Sequence, residues 1–82
     1  MALIYVVEDD KNISEIESFA LKNAGHQIVE CACAKEFHKQ VQERIPDMVL
    51  LDIMLPDEDG LEIVRKLRAI PDTKKVPVMM VT

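Results

Sequence analysis

Four polar residues stand where apolar runs of the chain end. Glu8 and Asp9 directly follow one such run, Asp52 follows another, and Thr82 follows a third. In an open parallel α/β sheet, ligands bind at the carboxyl ends of the strands, near the point where the strand order reverses. If the first and third strands are neighbours, the three carboxylates meet at one edge of the sheet.

Carboxylates that lie this close together repel one another, so the site is favourable only where a cation neutralises it. A cluster of oxygen ligands suits Mg²⁺, which keeps several waters and binds one or two carboxylates directly. An aspartate can also act as a nucleophile and form an aspartyl phosphate, whose charge the metal neutralises. The pattern therefore predicts a phosphoryl acceptor in a magnesium site, with the Thr82 hydroxyl placed to hydrogen-bond the transferred group.

The elements that must position these residues alternate between apolar runs and helical periodicity. The predicted strands cover residues 3–7, 27–31, 48–51 and 76–81, and the predicted helices cover about 10–24, 35–44 and 61–69. This order, with its short connections, favours a parallel sheet with right-handed crossovers and helices on both faces.

Helix ends and helix faces can be predicted in part. Asp10 or Asn12 is expected to cap the first helix, with Asp10 favoured, and Gly25 is well placed to end it. Apolar residues at helical spacing indicate one face of each of two helices: Ile13, Ile16, Ala20 and Ala24 in the first, and Leu61, Val64 and Leu67 in the last.

Two segments of this sequence resemble the receiver domains of bacterial two-component response regulators. They are V-V-E-D-D at residues 6–10 and L-D-I-M-L-P-D-E-D-G at residues 51–60. The resemblance covers the whole chain: an acidic pair after the first strand, D-x-x-L-P-x-x-D-G after the third and a hydroxyl after the fourth. It implies a flavodoxin-like α/β receiver fold over residues 1–82, with a parallel sheet in the order 2-1-3-4.

The resemblance also implies roles for individual residues. Asp52 would accept a phosphoryl group from a sensor histidine kinase, and Asp9 and Asp52 would ligate Mg²⁺. Glu8 would act mainly through a metal-bound water, Met54 would supply its backbone carbonyl to the metal, and the hydroxyl of Thr82 would sense the phosphoryl group. The chain would then be a regulatory phosphoacceptor rather than an enzyme. Because many receivers precede DNA-binding domains, the parent protein is expected to regulate transcription.

The sequence departs from this family at its end. Receivers have five strands in the order 2-1-3-4-5 and a lysine after the fifth strand that pairs with the phosphoryl group. Here Lys74 and Lys75 precede the fourth strand, at the opposite end from the site. We therefore expect a receiver truncated after the fourth strand, without the last helix-strand-helix and impaired in switching. Its exposed fourth-strand edge or uncovered sheet face is expected to promote self-association, for instance as a dimer.

Two other functions fit parts of the pattern. The first is a protein-interaction module with the same fold that is not phosphorylated. The second is an aspartyl-phosphate phosphohydrolase of the haloacid-dehalogenase type. That type carries a second aspartate two residues after the nucleophile, where this sequence has Met54, so repeated turnover is disfavoured.

The remaining polar residues of interest have simpler interpretations. The acids at 57–59 resemble a calcium-binding loop in spacing, but aligning Gly60 with the loop glycine puts Leu55 and Lys66 at positions that need acidic ligands. We therefore expect these acids to be solvated turn residues. His26 and His38 lack partners at metal-ligand spacing and are expected to have surface or packing roles.

Composition excludes several other classes of function. Fifteen acidic residues against ten basic ones give a net charge of −5, which argues against direct nucleic-acid binding by this segment. No apolar run approaches the roughly 20 residues that a membrane-spanning helix needs. Cys31 and Cys33 fit a pair of reduced thiols, so a cytoplasmic location is expected.

Overall fold

The computed structural model describes residues 1–53 and 55–81, so Met54 and Thr82 lie outside the described residues. Within these ranges the elements alternate as the sequence predicts. They are β1 (Leu3–Val7), α1 (Lys11–Asn23), β2 (Gln27–Cys31), α2 (Ala34–Glu43), β3 (Met48–Asp52), α3 (Gly60–Ala69) and β4 (Val78–Val81). None of the helices in this part of the chain is long and apolar enough to cross a membrane.

The four strands form one parallel sheet in the order β2-β1-β3-β4. The predicted order 2-1-3-4 is therefore confirmed. All five residues of β1 are buried, as expected of a strand with neighbours on both sides and helices on both faces. Val7 at its end is in register with Cys31 of β2 and with Leu51 of β3. The segments that follow β1 and β3 consequently leave the same edge of the sheet, side by side.

A hydrophobic core lies between α2, α3 and one face of the sheet. Its strand residues alternate along the chain, as side chains on one face of a strand must. Tyr5 packs edge-on against Phe37 of α2, with ring centroids 6.1 Å apart. The Tyr5 hydroxyl donates to the backbone carbonyls of Gln40 and Arg44 near the end of α2. Tyr5 thus both fills the core and donates to the carbonyl of Arg44, which lies just past the last residue of α2.

α1 packs against β1 and β2 through residues that its apolar pattern does not indicate. Its buried side chains are Ser14 and Ser18, whereas Ile16 is 70% exposed and Ile13 is 44% exposed. The Ser14 hydroxyl donates to Glu30 of β2 over 2.7 Å. A small polar side chain therefore lies at this contact, because it can both approach the sheet closely and satisfy a strand carboxylate. The apolar positions of α1 face away from the sheet.

The apolar pattern of α3 predicts only some of the residues that the helix buries. Leu67 is buried as its spacing indicates, but Leu61 is 58% exposed and Ile63 is fully buried instead. The first turn of α3 is held near β3 through Gly60, and this fixes which residues of the helix face the core.

The turn between α3 and β4 delays the start of the last strand. The buried Thr73 hydroxyl donates to the carbonyl of Leu67 over 2.7 Å, and Arg68 Nη1 donates to the carbonyl of Val76 over the same distance. Because these bonds hold residues up to 76 in a turn, β4 begins at Val78 rather than at Val76 as the sequence suggested.

Candidate metal centre

The structure brings Glu8, Asp9 and Asp52 together at the carboxyl ends of β1 and β3. One ligand oxygen from each residue lies within 4.8 Å of the other two. This convergence follows from the pairing of β1 with β3, which was the condition attached to the prediction. The two other predicted site residues, Met54 and Thr82, lie outside the described ranges.

The three carboxylates differ in their exposure to water. Glu8 is 8% exposed, Asp52 is half-buried and Asp9 is exposed. Burial raises the pKa of Glu8 to about 7, and the neighbouring negative charge of Asp52 adds to this effect. A hydrogen bond of 3.1 Å from the Asp10 N–H to Glu8 Oε1 opposes the rise without cancelling it. Glu8 is therefore the carboxylate most in need of a nearby positive charge.

Asp10, the third acid of this run, has the capping role that the sequence predicted. Its side chain accepts from the N–H of Asn12 over 2.9 Å and from that of Ile13 over 3.3 Å. These bonds satisfy donors at the first turn of α1 that have no intrahelical partner. Because Asp10 caps the helix, Glu8 and Asp9 are available to the site.

The donor set fits Mg²⁺ on chemical grounds. All three groups offer carboxylate oxygens, the ligands that this hard cation prefers, and the cluster formed by the described residues includes no softer ligand. The exposed side of Asp9 leaves room for the waters that Mg²⁺ retains. A dication would also offset the repulsion and burial that raise the pKa of Glu8.

The start of α3 packs directly against the backbone beside Asp52. A Cβ atom at Gly60 would lie 2.8 Å from the Cα of Ile53 and 3.0 Å from the carbonyl oxygen of Asp52. The Gly60 N–H also donates to the carbonyl of Ile53 over 3.0 Å. Asp59 caps the helix by accepting from the N–H of Leu61 over 2.7 Å. Glycine at position 60 therefore lets the loop after Asp52 close tightly on itself.

The acids of this loop are turn residues, and Asp57 and Asp59 are exposed as expected, but Asp57 and Glu58 also bind groups elsewhere in the fold. Asp57 accepts from the N–H groups of Ala34 and Lys35, over 2.9 and 3.0 Å. Glu58 Oε1 forms a hydrogen bond with His38 Nε2 at 2.9 Å, and Glu58 Oε2 forms an ion pair with Lys66 Nζ at 2.6 Å.

The sequence analysis missed these partners because they are about twenty residues or more away, or on another helix, and sequence spacing does not reveal them. One local signal was present. α2 starts after Cys33, a poor cap, so a capping group from elsewhere was to be expected.

Comparison with known proteins agrees with this geometry. Residues 4–82 match the family model described as response regulator receiver domain. The phosphate regulon transcriptional regulatory protein PhoB of Rhizobium meliloti is 37% identical over 79 residues, which are 96% of this chain and 35% of that protein. The transcriptional regulatory protein PhoP of Escherichia coli is 34% identical over 96% of this chain and 34% of its own length. The chain thus spans about a third of the length of these relatives.

Solved structures give the same result. The N-terminal domain of a response regulator receiver protein from Methanoculleus marisnigri superposes with a TM-score of 0.93 at 30% identity, covering 100% of this chain and 67% of that one. The receiver domain of a signal transduction histidine kinase from Syntrophus aciditrophicus gives a TM-score of 0.95 at 27% identity, covering 100% of this chain and 62% of that one. With its sheet order, its acidic cluster and these matches, the chain belongs to the response regulator receiver domain family.

Proposed function

We propose that Asp52 is the phosphoryl acceptor of this domain and that its donor is the phosphohistidine of a sensor kinase. A carboxylate oxygen of Asp52 forms the new P–O bond while the P–N bond of the phosphohistidine breaks. The electron pair of the P–N bond stays on the imidazole of the kinase, which leaves as the free histidine side chain. The observation that carries this proposal is the convergence of Asp52 with Glu8 and Asp9 at one edge of the sheet. An open cleft lined by Asp9, Ile53 and Pro56 adjoins the site and offers a path for the donor.

The same carboxylates would hold Mg²⁺. Asp9 and Asp52 are proposed as direct ligands, Glu8 as a ligand through a bound water, and Met54 as the source of a backbone carbonyl. When bound, the metal neutralises charge on the phosphoryl oxygens and on the carboxylates. The packing around Glu8 holds its carboxyl group beside Asp52. The Thr82 hydroxyl is proposed to hydrogen-bond the phosphoryl group after transfer.

We propose a regulatory role for this site rather than an enzymatic one. The relatives PhoB and PhoP are named as transcriptional regulatory proteins, so a parent protein that regulates transcription in the cytoplasm is the natural extension. Direct contact with nucleic acid is not proposed for this acidic segment. Neither the fold nor the comparisons support the impaired switching that the sequence suggested, and we do not propose it.

Incubation with acetyl phosphate and Mg²⁺ tests the acceptor role. Intact mass spectrometry is expected to show one added phosphoryl group. EDTA is expected to suppress it, because without Mg²⁺ the clustered carboxylates repel the negatively charged phosphate. A chain that gains no mass under conditions that modify a known receiver would favour the unphosphorylated interaction module. Steady release of inorganic phosphate over many turnovers would instead favour the phosphohydrolase.

We also propose that the 82-residue chain self-associates through β4 or the sheet face beside it. Among the described residues β4 pairs with β3 alone, and Met79 on that strand is 55% exposed. An edge strand with apolar side chains is a template for pairing with a second copy. Light scattering should show a mass that rises with concentration, and Met79→Lys should lower it. A monomer at millimolar concentration would contradict the proposal.

A further inference from the structure

The N-terminus of α2 is capped by a residue from a different part of the chain. Cys33, at the capping position, makes no side-chain hydrogen bond to the helix. Instead the two carboxylate oxygens of Asp57 accept from the first two N–H groups of α2, those of Ala34 and Lys35. A carboxylate is favoured here because the helix N-terminus carries unsatisfied donors and a partial positive charge. The backbone donors at Ala34 and Lys35 accordingly lower the pKa of Asp57.

Asp57 lies in the loop that begins directly after Asp52. At one end of this loop, the Ile53 N–H donates to the carbonyl of Val81 over 3.2 Å. At its other end, Asp59 caps α3. Between them, Asp57 fixes the loop to α2. Only a few residues thus separate the proposed acceptor from a rigid helix end.

The same helix end is also tied to the other half of the acidic cluster. The Glu8 N–H donates to the carbonyl of Cys31 over 3.0 Å, two residues before the capping position of α2. Glu8 and Asp52 therefore have separate connections to the start of α2, one through Cys31 and one through Asp57. A change in either connection alters where the two carboxylates stand relative to each other.

We infer that Asp57 is a positioning residue for the metal centre: by holding the loop after Asp52 against the N-terminus of α2, it sets the spacing of that loop from Glu8 and Asp9. This inference rests on the proposed function, because it concerns the same site. Asp57 is not assigned as a ligand. Its effect on Mg²⁺ comes through its two hydrogen bonds to the backbone of α2, which fix the position of the loop.

A helix cap also stabilises the fold, so the two roles must be separated. Cys33→Ser supplies a preferred capping side chain within α2 itself and adds no charge. In the double variant Cys33→Ser/Asp57→Ala, the helix is capped again but the loop is no longer tied to it. Asp57→Asn removes the same charge as Asp57→Ala but keeps one acceptor oxygen for the tie.

The test is titration of Mg²⁺ into each variant without a phosphoryl donor, followed by NMR, beside urea unfolding of the same samples. Asp57→Ala is expected to weaken Mg²⁺ binding about tenfold or more, as is typical when groups that orient metal ligands are lost. The double variant should recover the unfolding midpoint of the parent but keep the weak Mg²⁺ binding. Asp57→Asn should retain most of the affinity.

Two results would overturn the inference. If the double variant binds Mg²⁺ as the parent does, Asp57 acts only through helix stability. If Asp57→Asn and Asp57→Ala weaken binding equally, charge rather than position is the cause. A parent chain that binds no Mg²⁺ would instead refute the proposed function, so the two failures are distinguishable. If Asp57→Ala alone does not fold, the double variant Cys33→Ser/Asp57→Ala is compared with Cys33→Ser in the same Mg²⁺ titration. Weaker binding by the double variant then supports the inference, and equal binding overturns it.

Discussion

Replacing Asp52 with asparagine is expected to abolish the phosphoryl adduct completely. An amide oxygen is a poor nucleophile and cannot form a stable acyl phosphate, and the variant also removes one of the three clustered carboxylates. The measurement is intact mass after incubation with acetyl phosphate and Mg²⁺. Asp72→Asn, which changes an exposed acid in the turn before β4, is the matched control and should be modified like the parent.

The fold of the Asp52→Asn variant should survive, because the amide keeps the size of the side chain and the substitution removes one negative charge from the cluster of Glu8, Asp9 and Asp52. Without Mg²⁺, its free energy of unfolding should equal or exceed that of the parent, since a like charge beside the buried Glu8 is gone. An adduct that persists in this variant would move the acceptor to another carboxylate, and the exposed Asp9 would be the first to test. A variant that is unfolded would show that Asp52 has a structural role that the carboxylate geometry does not suggest.

The sequence predicts the site residues that lie directly at the ends of strands. Continuous apolar runs identify β1 and β3, and parallel strands release their following residues at the same edge. Two apolar runs and the pairing of β1 with β3 are therefore enough to bring Glu8, Asp9 and Asp52 together. The capping role of Asp10 can also be predicted from the sequence, because a cap and the N–H groups that it satisfies lie within three residues of each other.

The contacts that sequence reasoning missed join residues whose proximity only the folded chain creates. Asp57 contacts α2 because the loop after β3 and the turn after β2 both lie at the carboxyl ends of the parallel strands. Glu58 pairs with His38 for the same reason, at a separation of twenty residues. The residues next to these acids do not distinguish them from solvated acids, and the poor cap at Cys33 shows only that α2 needs a capping group, not which residue supplies it.

The buried serines of α1 illustrate a second limit. Periodicity shows that a helix has an apolar face, but the direction of that face depends on what covers the helix. In this structure Ser14 faces the sheet and bonds Glu30, while Ile16 is exposed. The hydrophobic pattern of α1 therefore predicts a helix correctly and its packing face incorrectly.

The stability of the metal-free chain is expected to fall as pH rises from about 4.5 to about 7. The pKa of Glu8 is raised from 4.5 to about 7 in the fold, first by burial and then by the charge of Asp52. Between these values the folded state keeps a proton that the unfolded state has lost, so deprotonation favours unfolding. The pKa of Glu17 is raised with the same sign, again first by burial and then by Asp52. Urea unfolding followed by circular dichroism across this pH range measures the slope.

Mg²⁺ should reverse this trend, because the cation and the proton compete for the same carboxylates. Above pH 7, Mg²⁺ at a hundred times its Kd should add about 2.7 kcal/mol to the free energy of unfolding. Near pH 5 the same concentration should add much less, because Glu8 is then protonated and the proton must leave before the site reaches its full charge.

Glu8→Gln separates this mechanism from general effects of pH and ionic strength. The amide keeps the size of the side chain and removes its titration, so the metal-free variant should be more stable than the parent at pH 8 and should show a flatter slope. Glu17 leaves a smaller residual slope of the same sign. At pH 8, Mg²⁺ should stabilise the variant less than it stabilises the parent. NaCl at equal ionic strength is the control. If the Mg²⁺ increment is the same at pH 5 and pH 8, or if Glu8→Gln keeps the full slope, the buried carboxylate is not what couples the site to stability.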